Sequence, residues 1–377
     1  MKTVGMAMCA LPLLLGVLNC SSDKDNSGTS TGGSVNAGAG SGGAASGGAA
    51  SGGMSTSRGG SEPMGELHDN GLEPLPLPPG DGGVPQPSGT PGNLKVLDWA
   101  GFKAAVSFTF DDTNSSQIAH YDELQALGAR YTFYLITGKS EINDPTWVRA
   151  IEDGHELGNH TQSHRMAATE EDIDAASDVI ASKFGAITWT MASPYGDASY
   201  VPLAKPRFLL NRGVSNGLIG PSDNSDPFNT PCFIPAEGAP ASAINAQVDS
   251  AQSAGKWRIV LVHGFTGGTD GAYQPVDFAE FAESVTYAQS LGDVWIDTMA
   301  SIGAYWRGQK AFSEAGHVQK GDVESWQWTL PPHFPKGRTL RVTVDGGSLS
   351  QGGPPLVWDE HGFYEVDLDA GVLTLSP

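Results

Sequence analysis

Cysteine is scarce in this chain of 377 residues, which contains only three. Cys9 and Cys20 lie within or directly after the leading apolar segment, so only Cys232 remains for the rest of the chain. An intramolecular disulfide is therefore excluded from the folded part. The surrounding sequence TPCFIP supplies no base that would activate a thiolate, so we interpret Cys232 as a structural thiol.

Basic residues are also few. The chain has 21 Lys and Arg against 42 Asp and Glu, which gives a formal net charge of -21. A positive surface that could bind nucleic acid or an anionic membrane is therefore not expected. The sequence predicts no nucleic-acid partner, and its charge suits an exported protein that acts on neutral or cationic material.

Residues 21–93 lack the apolar periodicity that a packed element needs. Their first part is rich in Gly, Ser and Ala, and their last part, EPLPLPPGDGGVPQPSGTPG, is rich in Pro and Gly. Such compositions favour flexible or extended chain without a core. We therefore predict a disordered tether over residues 21–93, followed by a folded part that begins near residue 94.

The first 20 residues have the build of an export signal. Lys2 precedes an apolar core that ends in LPLLLGVL and is followed by Asn19 and Cys20. The segment is too short to span a membrane. It resembles the bacterial lipoprotein signal, in which Cys20 would be lipidated, although Asn19 stands where a smaller residue is usual. We expect export to the cell envelope with a lipid anchor in the outer membrane or cell surface; an ordinary secretory signal is the alternative.

Strand-like and helix-like segments alternate from Lys103 to Trp306. Predicted strands lie at residues 104–112, 130–136, 155–160, 186–191, 207–214, 258–263 and the start of 294–306; predicted helices lie at 116–127, 145–152, 170–184, 241–254, 277–291 and the end of 294–306. Repeated βα units of this length predict a parallel sheet, open or barrel-like. Residues 309–377 instead alternate apolar and polar residues between Gly-containing turns, which predicts a small antiparallel β unit after a domain spanning 94–308.

Polar side chains follow four of the predicted strands. Asp111 and Asp112 end the buried run AAVSFTFDD, and His160 and His164 occur in HTQSH. Tyr195 lies in SPYG, and His263 ends RIVLVH. Taken alone, the Asp pair fits a turn that caps the next helix, and the His pair fits an exposed polar loop. Together they fit a site assembled at one face of a βα domain, with two imidazoles spaced to hold one metal ion.

The combination of TFDD, HTQSH, SPYG and LVH, in this order, resembles the polysaccharide deacetylase family, also called the NodB-homology or carbohydrate esterase family 4 domain. The resemblance covers about residues 104–306 and implies an irregular (β/α) barrel. It implies a divalent metal, zinc first and cobalt or nickel as alternatives, held by Asp112, His160 and His164. It further implies Asp111 as general base, His263 as general acid and the Tyr195 backbone N–H as an oxyanion donor.

The implied reaction is removal of acetyl groups from an N-acetylated polysaccharide such as chitin or peptidoglycan. One alternative is O-deacetylation, for example of acetylxylan, and another is a surface lipoprotein that binds glycans without turnover. Two features depart from the family pattern: Ala192 stands where an Arg usually braces the base, and no Asp-x-x-Asp-Trp motif is present. Candidates to replace the missing groups are Arg207, Arg212 and Trp257.

Metal dependence also follows from acidity. A carboxylate with a pKa of ~3.9 cannot usefully deprotonate bulk water, whose pKa is ~15.7, whereas a metal can bring the pKa of bound water to about 7. Two histidines and one carboxylate would leave a coordination position open for that water.

Overall fold

The structure is a computed structural model that describes residues 67–377. The predicted export signal, Cys20 and most of the predicted tether lie outside the described residues. Within residues 67–377, no helix combines the length and the apolar character needed to cross a membrane.

Eight α-helices and fifteen strands are present in the described part of the chain. The helices are α1 (Ser115–Ala119), α2 (Tyr121–Ala126), α3 (Thr146–Glu152), α4 (Glu170–Phe184), α5 (Tyr200–Ala204), α6 (Ala241–Ala254), α7 (Phe278–Ser290) and α8 (Met299–Ser313). The strands are β1 (Lys95–Val96), β2 (Ala104–Phe110), β3 (Thr132–Leu135), β4 (Glu156–Asn159), β5 (Thr190–Ala192), β6 (Leu210–Arg212), β7 (Trp257–Val262), β8 (Val294–Ile296), β9 (Gly316–Lys320), β10 (Val323–Gln327), β11 (Thr339–Thr343), β12 (Ser348–Ser350), β13 (Trp358–Asp359), β14 (Phe363–Asp367) and β15 (Val372–Ser376). Short 3-10 helices cover Asp98–Gly101, Ser140–Asn143 and Pro194–Gly196.

The parallel sheet is built around β2. Its strand order is β6-β5-β4-β3-β2-β7, and β8 pairs with the first half of β2, whereas β3 pairs with its last two residues. All seven residues of β2 are buried, as expected for a strand covered on both faces. Residues 230–233 then link the two outer strands, because Thr230 bridges to Arg212 in β6 and Phe233 bridges to Val260 in β7. The sheet therefore curls into an irregular barrel, which confirms the predicted α/β fold class.

Local sequence explains where the helices begin and end. The Thr169 side chain accepts a hydrogen bond from the Asp172 N–H at the start of α4, and Gly185 ends the helix with φ 65°. Helix α6 has the predicted bounds, whereas the predicted helix at 116–127 divides into α1 and α2 at His120. The predicted strand at 186–191 is shorter than expected: β5 starts at Thr190, and Ala186 pairs instead with His68.

The predicted disordered tether was wrong for residues 67–93, which pack against the barrel. Asn70 is fully buried: its side-chain amide donates to the carbonyl oxygens of Leu157 and Ile187 and accepts from the Leu157 N–H. Leu72 is buried too. The composition does not indicate this packing, because the segment forms no helix or strand of its own. Its hydrogen-bond partners lie in the barrel, far away in the sequence.

Two antiparallel four-stranded sheets follow the barrel, with the orders β1-β11-β14-β13 and β12-β15-β10-β9. The predicted all-β unit is present, but the expected boundary at residue 308/309 falls inside α8. Strand β1, which precedes the barrel in the sequence, also belongs to this unit, because it pairs with β11. Buried residues of α8 and of the β sheets belong to one continuous apolar core. The β unit is thus packed on the barrel.

The tryptophans of the β unit serve packing. Trp326 stacks on His317 with ring centroids 5.0 Å apart and has Phe312 at 6.4 Å. Trp358 lies edge-on to Tyr364 and donates its indole N–H to the Val84 carbonyl oxygen. These contacts place both rings in packing within the β unit and against residue 84.

Candidate active site

The polar residues predicted from the four strand ends line a single cavity of about 460 Å³. Parallel strands place their carboxyl ends at the same edge of a barrel, which is why residues distant in sequence meet there. The lining residues are Asp111, Asp112, His160, His164, Ser193, Tyr195, Val214, Ile234, Leu261, His263 and Tyr273. All six residues predicted for catalysis or metal binding are therefore brought together.

Asp112, His160 and His164 form a group with the geometry of a metal site. One potential ligand atom from each lies within 4.8 Å of the others. Asp112 Oδ1 is 3.4 Å from His160 Nε2 and 3.5 Å from His164 Nε2, and it has no hydrogen-bond partner among the described residues. Ligands at ~2.1 Å from a tetrahedral ion are about 3.4 Å apart. The three donors therefore fit a zinc-sized divalent cation.

Backbone contacts fix the orientation of the two imidazoles. His160 Nδ1 lies 2.9 Å from the Ala192 carbonyl oxygen, so this nitrogen carries a proton and Nε2 is the nitrogen that faces Asp111 and Asp112. His164 is placed by a turn, because its N–H donates to Thr161 Oγ1 and the Thr161 N–H donates to Asn159 Oδ1. The segment is not helical: φ is 63° at Thr161 and 51° at His164. The two rings meet at 4.7 Å between centroids.

The electrostatics favour an ionised Asp112. Burial opposes ionisation, but the neighbouring His160 imidazole, and after it His263 and His164, hold the pKa of this carboxyl well below its usual range. Burial would lower the pKa of His160, but Asp111 and Asp112 raise it. Burial and the nearby His160 lower the pKa of His164 to about 4, which keeps this ring neutral and able to bind a metal.

Arg212 in β6 pairs with Asp111, which directly follows β2 and lines the cavity. Its guanidinium donates to Asp111 Oδ2, and both side chains are almost fully buried. Burial alone would lower the pKa of Arg212, but Asp111 raises it above the usual value. A second Arg212 donor reaches the Gly213 carbonyl oxygen at 2.9 Å. Arg212, from β6, therefore supplies the cation that Ala192 lacks.

The other two candidates do not reach the site. Arg207 forms surface ion pairs with Glu170 and Asp174. Trp257 donates its indole N–H to Ser107 Oγ in the barrel interior. A single Arg within the apolar segment FLLNRGV was a signal for Arg212, because a charge in a buried strand needs a buried partner.

His263 is positioned by its backbone. Its carbonyl oxygen accepts from the side-chain amides of Asn114 and Gln117, both at 2.7 Å. Its Nδ1 is buried and has no hydrogen-bond partner within residues 67–377. Burial lowers the pKa of His263, and the carboxylates of Asp111 and Asp112 oppose this shift. The side chain lines the cavity, and none of the described residues accepts a hydrogen bond from its Nδ1.

Tyr195 lies on the metal side of the cavity. Its ring centroid is 4.5 Å from that of His164, and its φ of 58° is unusual for a non-glycine residue. Such backbone strain is held by the surrounding structure, here by the Ser193 N–H, which donates to the Arg212 carbonyl oxygen at 2.9 Å. Tyr273 was missed in the sequence because it lies in the Gly-rich loop after His263, where no periodicity identifies it.

His155, in the same sequence segment as His160, lies outside the site. Its Nδ1 accepts from the Tyr131 N–H, so its Nε2 is the nitrogen that donates to Gln125 Oε1. Burial lowers the pKa of His155 to about 4. Both ring nitrogens are hydrogen-bonded within the barrel, so His155 is a structural histidine.

Comparison with known proteins gives a family match over part of the chain. Residues 101–205 match the family described as polysaccharide deacetylase. A peptidoglycan-N-acetylglucosamine deacetylase from Bacillus cereus is 30% identical over 82 residues, which is 21% of this chain and 38% of that protein. A gellan lyase from a Bacillus species is 30% identical over 149 residues, 37% of this chain and 6% of that protein. The chain thus spans well under half the length of these curated relatives.

A solved structure of the Xyl-CE4 domain of a multidomain xylanase, from the hindgut metagenome of Trinervitermes trinervoides, is 18% identical to this chain. The structural match covers 53% of this chain and 89% of that domain, with a TM-score of 0.37. The names of the two sequence relatives describe different activities, so they do not by themselves select a reaction. The family match over residues 101–205 supports a polysaccharide deacetylase domain in this chain.

Proposed function

We propose that this protein is a metal-dependent hydrolase that removes acetyl groups from an N-acetylated polysaccharide. The observation that supports it most is the grouping of Asp112, His160 and His164 ligand atoms within 4.8 Å of one another, next to the ion-paired Asp111. A carboxylate base, three metal donors and a histidine at one cavity are the groups that amide hydrolysis with an activated water requires.

Asp112, His160 and His164 would hold the ion, and zinc suits their nitrogen and oxygen donors, with cobalt and nickel as alternatives. When bound, the ion would lower the pKa of a coordinated water and polarise the acetyl carbonyl. Asp112 enters the site ionised and His164 neutral, so neither has to lose a proton near pH 7 for binding.

Asp111 is the proposed general base. Its Oδ2 is fixed by Arg212, whereas its Oδ1 is buried and has no partner among the described residues. The free oxygen can take the proton of the attacking water, and the buried guanidinium holds the carboxylate in place during the transfer. The water oxygen then forms a bond to the acetyl carbon, and the Tyr195 backbone N–H is the proposed donor to the carbonyl oxygen as negative charge develops there.

His263 is the proposed general acid. As the bond between the acetyl carbon and the sugar nitrogen breaks, a protonated imidazole would donate its proton to the departing amine, leaving acetate and a free amine. Burial acts against that protonation, and the carboxylates of Asp111 and Asp112 act for it. Acid catalysis by His263 therefore depends on the same two aspartates that serve the base and the metal site.

The alternatives are O-deacetylation of a polymer such as acetylxylan and glycan binding without turnover. An ester needs less help with its leaving group, and the unpartnered His263 Nδ1 is the observation that favours this alternative. A screen of acetate release by the zinc-loaded protein from chitooligosaccharide, peptidoglycan and acetylxylan separates the three. Release from the first two supports the proposal, release from acetylxylan alone supports the ester alternative, and glycan binding without any acetate supports the third.

The location of the protein is a separate proposal. Export and lipidation at Cys20 would hold the domain at the cell envelope, in the outer membrane or on the cell surface, whereas an ordinary signal would release it. Incorporation of labelled fatty acid into the wild-type chain but not into Cys20→Ser would support the anchor. Equal labelling of both, or of neither, would leave secretion as the better account.

A further inference from the structure

Two tyrosines line the cavity with largely exposed rings. Within residues 67–377, Tyr195 and Tyr273 are the two aromatic side chains among the strongly exposed large apolar residues, each with 59% of its surface exposed. Both line the cavity that contains the metal-site group. Most large aromatic side chains of this protein are buried, so two exposed rings at one cavity need a reason beyond packing.

The two rings flank different parts of the site. Tyr195 packs against His164, a proposed metal ligand, at 4.5 Å between ring centroids. Tyr273 lies edge-on to His263, the proposed acid, with centroids 5.3 Å apart and an interplanar angle of 86°. One ring therefore borders the side on which the acetyl group would meet the metal, and the other borders the side from which the amine departs.

The loop that carries Tyr273 is held in place. Its base is closed where the Thr266 N–H donates to the Val276 carbonyl oxygen and the Val276 N–H donates to Gly264. Asp270 accepts from the Ser116 N–H at 2.7 Å and from the Ala272 N–H at 3.2 Å, which fixes the backbone next to Tyr273. The ring is exposed on a loop that is anchored on both sides.

We propose that Tyr273 forms a sugar-binding subsite on the leaving-group side of the cavity, where its ring stacks on a pyranose of the polymer. This inference rests on the proposed function for the position of the reacting sugar. An aromatic ring offers a rigid apolar face with little entropy to lose, and the carbon-bound hydrogens of a pyranose ring present a matching face. The hydroxyl of Tyr273 makes no hydrogen bond in the described part of the chain, so the exposed side chain is free to contact a sugar.

The test measures binding apart from turnover. The full chain carrying Asp111→Asn and loaded with zinc is titrated with tetra-N-acetylchitotetraose and with the N-acetylglucosamine monosaccharide, using calorimetry. Adding Tyr273→Ala should raise the Kd for the tetramer about 3- to 10-fold, since aromatic contacts of this kind contribute ~0.5–1.5 kcal/mol. Tyr273→Phe should keep the Kd within about twofold, because it keeps the ring.

Tyr287→Ala is the matched control. This tyrosine lies on α7 and bonds Asp249 at 2.6 Å, outside the cavity. The inference is overturned if Tyr273→Ala leaves the Kd for the tetramer unchanged, or if Tyr273→Phe or Tyr287→Ala raises that Kd as much as Tyr273→Ala does. It is also overturned if the tetramer binds no more tightly than the monosaccharide. Acetate release by the protein with Asp111 intact separates the two proposals. Binding that depends on Tyr273, with no acetate released, contradicts the proposed function alone. Acetate release together with a Kd that does not change in Tyr273→Ala contradicts the subsite alone.

Discussion

The ion pair between Arg212 and Asp111 gives a sharp prediction, because its two members are buried and another arginine of the same region is not. Arg212 is fully buried and Asp111 is 3% exposed. Arg212→Met would leave the carboxylate buried beside His160, whose Nε2 is 3.5 Å away. Removing one partner of a buried pair typically costs ~3–5 kcal/mol, since the other charge is left without compensation. We expect a loss of this size in the free energy of unfolding.

Arg207→Met is the matched control. Its ion-pair partners Glu170 and Asp174 have side chains 62% and 53% exposed, so loss of these pairs should cost about 0–1 kcal/mol. Urea unfolding followed by tryptophan fluorescence and by circular dichroism measures both variants, and coinciding midpoints from the two probes would justify a two-state analysis.

A double-mutant cycle isolates the interaction. Arg212→Met in an Asp111→Asn background should cost less than in the wild type, because a neutral amide does not need the guanidinium. Additivity within ~0.5 kcal/mol would show that the two residues are not coupled. Equal losses for Arg212→Met and Arg207→Met would likewise refute the reasoning. The value of kcat/KM for acetate release should also fall by about 100-fold in Arg212→Met, since a misplaced base loses most of its contribution.

Three further predictions concern other parts of the protein. Burial raises the pKa of Glu156 to about 7 in the folded state, so this residue adds stability below its unfolded pKa of ~4.5 that is lost as the pH rises through 7. Between pH 4.5 and pH 8, the free energy of unfolding of the wild type should fall by about 3 kcal/mol relative to that of Glu156→Gln. A constant difference between the two proteins would contradict this. After dialysis against zinc, metal analysis should find most of the bound zinc lost in His164→Ala. His120→Ala should keep its zinc, because His120 pairs with Glu123 and lies outside the metal group. Equal zinc in both variants would remove His164 from the ligand set. Asn70→Ala should lower the free energy of unfolding by about 2–4 kcal/mol, because buried backbone groups lose their hydrogen-bond partners. The surface variant Asn143→Ala should change the same free energy by less than ~0.5 kcal/mol. Equal effects would mean that residues 67–93 add little to the stability of the fold.

The sequence predicted the barrel well because its elements have strong local signals. The run at residues 104–110 is apolar apart from Ser107 and Thr109, and α6 has a helical period with Gly255 at its end, where φ is 66°. The strand ends could be aligned without knowing the strand order, because any parallel arrangement brings them to one face. For that reason the six candidate residues were found before their distances were known.

Other features required long-range information. The burial of Asn70 depends on backbone groups at residues 157 and 187, which no local pattern links to it. The segment FLLNRGV indicates a buried Arg212, but the pairing of its guanidinium with Asp111 depends on the fold, because the two residues are 101 positions apart. At the interruption between α1 and α2, the ring of His120 stacks on Phe278 at 4.5 Å, a long-range contact that the local pattern does not indicate.

Residue 192 in β5 contributes a backbone carbonyl to the site, and the cation beside Asp111 comes from β6. His160 Nδ1 needs only a backbone carbonyl, which Ala192 supplies as well as any residue would. The side chain of residue 192 is then free to be small, provided that a cation reaches Asp111 from elsewhere. Arg212 in β6, the strand paired with β5, meets that need.

The measurement that tests the central proposal most directly is acetate release from tetra-N-acetylchitotetraose by wild type and Asp111→Asn, each with its zinc content determined. We predict that the zinc-loaded wild type releases acetate, that removal of the metal with a chelator stops the reaction, and that added zinc restores it. Asp111→Asn should bind zinc as the wild type does and release essentially no acetate. Unchanged release by Asp111→Asn, or release that persists without metal, would contradict a reaction in which Asp111 is the base at a metal site.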